Sequence, residues 1–121
     1  MVGGMRWIRG RGCVALAVLV CASACSRELM LADSAAYRND YGTACPIYEK
    51  GAERGNVEAQ INAGTCYYYG LGGFPEDRET GAEWWIRAAR RGNTVARNKL
   101  FSHGIMWQRL FEAPPSDFPS K

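Results

Sequence analysis

The stretch Asn56–Gly92 reads NVEAQINAGTCYYYG (Asn56–Gly70), LGGFPED (Leu71–Asp77) and RETGAEWWIRAARRG (Arg78–Gly92). Two helical patterns flank a loop rich in glycine that holds one proline. In the first pattern Ala59, Ala63 and Cys66 recur at spacings of four and three, which stacks them on one helical face. The second carries Gly81 and Ala82, then Trp85, Ala88, Ala89 and a terminal Gly92. Small residues at contact points let two helix backbones approach closely, and a glycine just past the last turn accepts the left-handed conformation that ends a helix. The stretch predicts a helix hairpin whose arms meet through small side chains.

Outward from it the chain repeats. Asp40 recurs as Asp77, Tyr48 as Trp85, Ala52 as Ala89, Gly55 as Gly92, Asn56 as Asn93 and Ala59 as Ala96, each pair 37 residues apart. Helix-hairpin repeats have periods in this range. The upstream half predicts a helix from about Tyr41 to Arg54, capped by Asp40 and ended by Gly55. Pro46 lies too deep for the first turn, so a late start or a kink is expected there. Before it, 27–38 reads as a short helix with Leu29, Ala32 and Ala36 on one side, broken at Asn39-Asp40. Downstream, Asn93 to about Phe111 is expected to form a closing helix with Leu100, Phe101, Trp107 and Leu110 apolar. The layout is one complete repeat with a half unit on either side. About three such units are usually needed for stability, so a disulfide, a capping tail or a partner is expected to help.

The ordered residues Ala59-Gln60, Gly64, Tyr67, Gly70, Gly72, Pro75, Asp77, Trp84, Ala88-Ala89 and Gly92 resemble a Sel1-like repeat, a relative of the tetratricopeptide helix hairpin. The loop has one additional residue around Gly73 compared with the family. The resemblance implies an all-α, right-handed array of antiparallel helix hairpins with a scaffold or adaptor role. Small exported lipoproteins with these repeats resemble, in one setting, immunity proteins that neutralise secreted toxic effectors. The alternative is a cell-envelope enzyme or accessory acting on peptidoglycan fragments. That role needs a concave site with paired acidic groups, and the spacing of the acidic residues identifies no such pair.

The 121 residues allow one domain, and an apolar fraction of 47% with 22% charged residues suits a globular protein. The chain divides into a signal peptide over 1–24, a repeat domain over 25–111 and a tail over 112–121, where Pro114, Pro115 and Pro119 forbid a helix. The first twelve residues carry Arg6, Arg9 and Arg11 with no acid, and Cys13–Cys21 is an apolar run of nine. Such a run fits the core of a secretory signal and falls short of the 18 or so residues of a membrane-spanning helix. Removing three arginines from 15 basic residues leaves 12 against 12 acidic ones. A near-neutral remainder offers no electrostatic case for nucleic acid.

Ala22-Ser23-Ala24 before Cys25 looks like the lipobox of bacterial lipoproteins, in which the cysteine thiol takes a diacylglycerol. The same residues also suit an ordinary signal-peptidase cut, leaving a soluble periplasmic protein. Lipidation is the favoured reading, since an ordinary cut would leave a reactive terminal thiol. Ser26 in place of an aspartate then implies the outer membrane. Membrane contact is expected through the lipid on Cys25 alone.

His103 is the one histidine and reads as a helix-end residue; zinc sites need about four ligands, so no metal is expected. Gly70-Leu71-Gly72-Gly73 lacks the Lys-Ser/Thr and the preceding strand of a phosphate loop. No cofactor, small-molecule substrate or catalytic residue is indicated. Cys45 lies 10 residues before Gly55 and Cys66 lies 10 after Asn56. Positions equidistant from the turn of an antiparallel pair lie side by side, so these two predict a disulfide, with two free buried cysteines as the alternative. Consecutive helical residues point about 100° apart, so Tyr67, Tyr68 and Tyr69 cannot all enter one core. Two readings of the surplus remain. Tyr68 and Tyr69 pack onto the adjoining half units or the tail, or with Leu71 and Phe74 they form an exposed protein-binding patch. Trp107, Leu110, Phe111 and Phe118 are apolar enough for the tail to cap the array.

Overall fold

The computed structural model describes residues 24–105 and residue 109. The described residues are helical, without strands. A first helix, α1, is described over 24–37, followed by α2 (Tyr41–Glu53), α3 (Val57–Tyr69), α4 (Arg78–Arg90) and α5 (Thr94–Ser102). The predicted all-α array of hairpins is the observed one.

The four later helices start on the same kind of cap. Asp40, Asn56, Asp77 and Asn93 each accept a hydrogen bond from the backbone N–H three residues on, satisfying one of the orphan donors of the first turn. The turns after α2 and α4 place Gly55 and Gly92 at φ 90° and 88°, where a side chain would be strained. The 37-residue period is therefore a period of caps and turns. Within it, α3 and α4 cross at two glycines. A Cβ on Gly64 would lie 2.6 Å from the Trp85 ring and 2.8 Å from the Gly81 carbonyl oxygen, and one on Gly81 would lie 2.7 Å from the Gly64 carbonyl. Neither position has room for a side chain.

Three expectations change. The helix around Pro46 begins at Tyr41 on its Asp40 cap, as the capping pattern predicts, and carries the proline inside, so of the two effects expected of Pro46 the late start does not occur. The cap and the burial of Ala44, Cys45 and Tyr48 hold it despite the missing N–H. The closing helix is not Asn93–Phe111 but ends at Ser102, because Gly104 turns left-handed at φ 68° and the Ile105 N–H closes back on the Leu100 carbonyl. The upstream half unit is a full hairpin, since α1 packs along α2: the Tyr48 hydroxyl donates to Asp33 at 2.6 Å, and Leu29 sits over Gly51. Its buried face is Ala32 and Ala35, with Leu29 and Ala36 packed beside them.

The hydrophobic interior falls into two clusters. One gathers Ala32, Ala35, Ala44, Tyr48, Ala52, Ala59, Ala63 and Trp84 around the bridge Cys45–Cys66, whose Cα atoms are 5.9 Å apart. The other gathers Ile61, Trp85, Ile86, Ala88, Ala89, Ala96 and Leu100. Beyond α5, Arg109 returns to α4 and pairs with Glu79 at 3.1 Å and with the buried Glu83 at 3.0 Å. Residues 1–23, all but the last residue of the expected signal peptide, and Trp107, Leu110, Phe111, Phe118 and the rest of the tail, lie outside the described residues.

Candidate protein-binding surface

The end of α3, the start of α4 and the end of α5 lie at the same end of the array, and each contributes to one surface. The chain reverses between neighbouring helices, which brings alternate turns together. Tyr68, half-buried, stacks on Trp85 with ring centroids 4.7 Å apart. Trp85 is wholly buried and donates its indole N–H to the Ile61 carbonyl at 3.0 Å. Tyr69, next along the helix, turns outward and is 49% exposed. Its ring meets that of Tyr68 edge-on at 5.1 Å.

His103 closes the aromatic cluster. It caps the C-terminus of α5, and its ring lies 4.7 Å from Tyr68 and 5.1 Å from Trp85. With Nδ1 donating to the Lys99 carbonyl at 2.7 Å, Nε2 is free to accept the Tyr69 hydroxyl at 2.7 Å. The histidine thus fixes the direction in which Tyr69 projects. It fits its reading as a helix-end residue, and it also has a place in this surface that its sequence position does not reveal.

Two cations flank the rings. The Arg78 guanidinium stands 5.7 Å from the Tyr68 ring centre, and Lys99 Nζ stands 5.2 Å from that of Trp85. Both distances are within range for attraction between a cation and the negative face of an aromatic ring. Burial pushes the Lys99 ammonium below its ordinary value. The surface therefore offers an apolar, hydrogen-bonding centre flanked by Lys99 and by Arg78, whose guanidinium also pairs with Glu76 at 3.0 Å.

The four residues expected to form the patch do not share one role. Tyr69 is exposed and Tyr68 is half-buried against Trp85, so the two tyrosines divide between surface and packing. Leu71 and Phe74 are half-buried against the first cluster, with the Phe74 ring 4.9 Å from that of Tyr67. Their contacts support the loop. Tyr67 itself turns inward, where its hydroxyl donates to Glu49; burial and that carboxylate raise its phenol well above the usual range.

At the opposite end of the array, Cys25 is half-exposed and lies in a groove with Leu29, Ile47 and Gly51. Its Sγ is 3.1 Å from Arg54 Nη1, and the groove's carboxylate, Glu28, pairs with Arg54 and Lys50. No group of three or more potential metal ligands occurs among the described residues.

Residues 57–93 match the family model of the Sel1 repeat. That match covers α3, the long loop, α4 and its closing turn. No curated protein and no solved structure matches the chain. Sel1 repeats generally mediate contacts between proteins, and proteins built from them are typically adaptors without enzymatic activity.

Proposed function

We propose that this chain is an exported adaptor, anchored by lipid on Cys25 to the outer membrane on its periplasmic side, that captures a protein partner on the surface around Tyr69. The observation that carries the binding reading is the combination at that surface of an exposed, oriented tyrosine with two cations over the rings of half-buried Tyr68 and buried Trp85. Interface energy concentrates in a few aromatic and arginine side chains, each typically worth about 2 kcal/mol or more on truncation. The immunity role implied by the resemblance is one form of this reading, in which the partner is a secreted toxic effector. The envelope-enzyme reading draws no support from the groove at Cys25, whose carboxylate is already held by two cations.

Capture from native envelope with the tethered protein as bait tests the surface. Replacing Tyr69 and Lys99 together with alanine is expected to weaken capture by at least tenfold while leaving helical content unchanged, since about 1.4 kcal/mol is a factor of ten. Undiminished capture by the folded double variant moves the site elsewhere. The anchor is tested separately. Cys25→Ser should shift the protein from the membrane fraction to the soluble one, and an unmodified Cys25 at the mature terminus by mass spectrometry removes the lipid from the reading.

A further inference from the structure

Both end helices carry exposed apolar residues: α5 has Val95 and Phe101, and the outward side of α1 has three. Met30, Leu31 and Tyr37 are 71%, 54% and 90% exposed. At about 100° per residue they share an arc of roughly 120° with Arg27, Ser34 and Arg38. Met30 and Leu31 lie in the middle of the helix, Tyr37 is its last residue, and Arg27 and Arg38 stand to either side of the three. Arg38 reaches back to the Ser34 hydroxyl at 3.0 Å, which keeps its charge on the same arc.

The carboxylates of α1 are turned away from this face. Glu28 is drawn toward α2 by Lys50 and Arg54, and Asp33 accepts the Tyr48 hydroxyl. An apolar stripe between cations, without a carboxylate, is the pattern of a helix that lies in a membrane interface. We propose that the outward face of α1 rests on an anionic phospholipid surface, with Met30, Leu31 and Tyr37 entering the headgroup region and Arg27 and Arg38 on lipid phosphates.

This rests on the reading of Cys25 as the lipid-bearing residue. The anchor would sit at the start of the same helix and hold it within reach of the bilayer, so that a small face suffices to orient it. With α1 on the lipid, α5 is the helix farthest from it. The surface around Tyr69 and His103 then faces away from the membrane, open to a partner.

The test uses the purified processed protein carrying Y37C, labelled with an environment-sensitive nitrobenzoxadiazole and reconstituted into vesicles of phosphatidylethanolamine and phosphatidylglycerol. In these vesicles the emission should shift to the blue and rise several-fold. The rise should vanish with R27E/R38E or in phosphatidylcholine vesicles, and should not occur for a label at N98C on α5. An equal response at positions 37 and 98, or one indifferent to lipid charge, overturns the proposal, as does burial of the label through self-association seen without lipid. Mass spectrometry of the same sample separates the two readings. If Cys25 is unmodified, the anchor fails, and flotation of that protein with the phosphatidylglycerol vesicles decides the helix: flotation sustains the face and its absence overturns it.

Discussion

The two halves of the array reach the same geometry by different means. Between α1, α2 and α3, six of the ten buried cluster members are alanine and two more are the bridged cysteines. Between α3, α4 and α5, the interior is built on Trp85, Ile86, Ile61 and Leu100. Alanine brings one methyl group to a core, so the first half gains its close helix approach around two large buried side chains, Tyr48 and Trp84, and adds a covalent link. The second half removes several large side chains from water and has no such link. A single hairpin geometry tolerates both solutions because caps and turns, not the core, set its period.

Truncating the largest buried side chain should break the second half. Trp85→Ala is expected to cost about 3–5 kcal/mol, since it empties a closed site that also anchors Tyr68 and His103. Chemical denaturation measures the loss, and hydrogen exchange should show α4 and α5 opening first. A cost under about 1 kcal/mol would mean that the large residues are not what holds this half.

The first half should answer to its bridge. Removing it through C45A/C66A is expected to cost about 3 kcal/mol for a sequence separation of 21. Reductant should weaken the original protein by a similar amount and leave the variant unaffected. Accelerated exchange should then appear in α1 and α2. If it appears first in α5 instead, the contrast between the halves does not hold.

The smallest effect sharpens the same contrast through pH. Tyr48 and Tyr67 both border the first cluster, and burial followed by a hydrogen-bonded carboxylate, Asp33 or Glu49, raises each phenol well above its ordinary value. A raised value means the folded state favours the neutral phenol. That stability is complete below the unfolded value of about 10 and declines as pH climbs toward the folded one. Tyr48→Phe should lose about 1.5 kcal/mol at neutral pH, typical of a hydrogen bond to a charged group. It should also show a shallower alkaline decline in melting temperature than the original protein. Identical alkaline profiles would remove Tyr48 from the account.

Local chemistry was the most legible part of this molecule. Asp40, Asn56, Asp77 and Asn93 announce helix starts, and Gly55 and Gly92 announce turns, because each satisfies a backbone need within a few residues. Counting from the turn paired Cys45 with Cys66, since an antiparallel hairpin has one register. The end of α5 was lost because the apolar run through Trp107 and Leu110 masks the stop at Gly104. Arg109 with Glu83 was invisible for a different reason. Nothing near either residue marks a pairing 26 positions apart, which exists only once the chain turns back over α4. The surface around Tyr69 was half legible: the run of tyrosines showed a surplus, but His103 and Lys99 join it from another helix. The matched repeat stops before both.

The bridge has one further consequence, which follows from where the repeat begins. Cys66 lies within the matched unit 57–93, while Cys45 belongs to the helix before it. The covalent link therefore crosses a boundary between units, where a repeat array ordinarily depends on side-chain contact alone. A short solenoid held only by such contacts can fray from either end. Here the upstream hairpin is riveted to the unit that follows, and α5 lies outside the bridged helices. Unravelling should acquire a direction, starting at the carboxyl-terminal side and halting where the sulfur atoms meet.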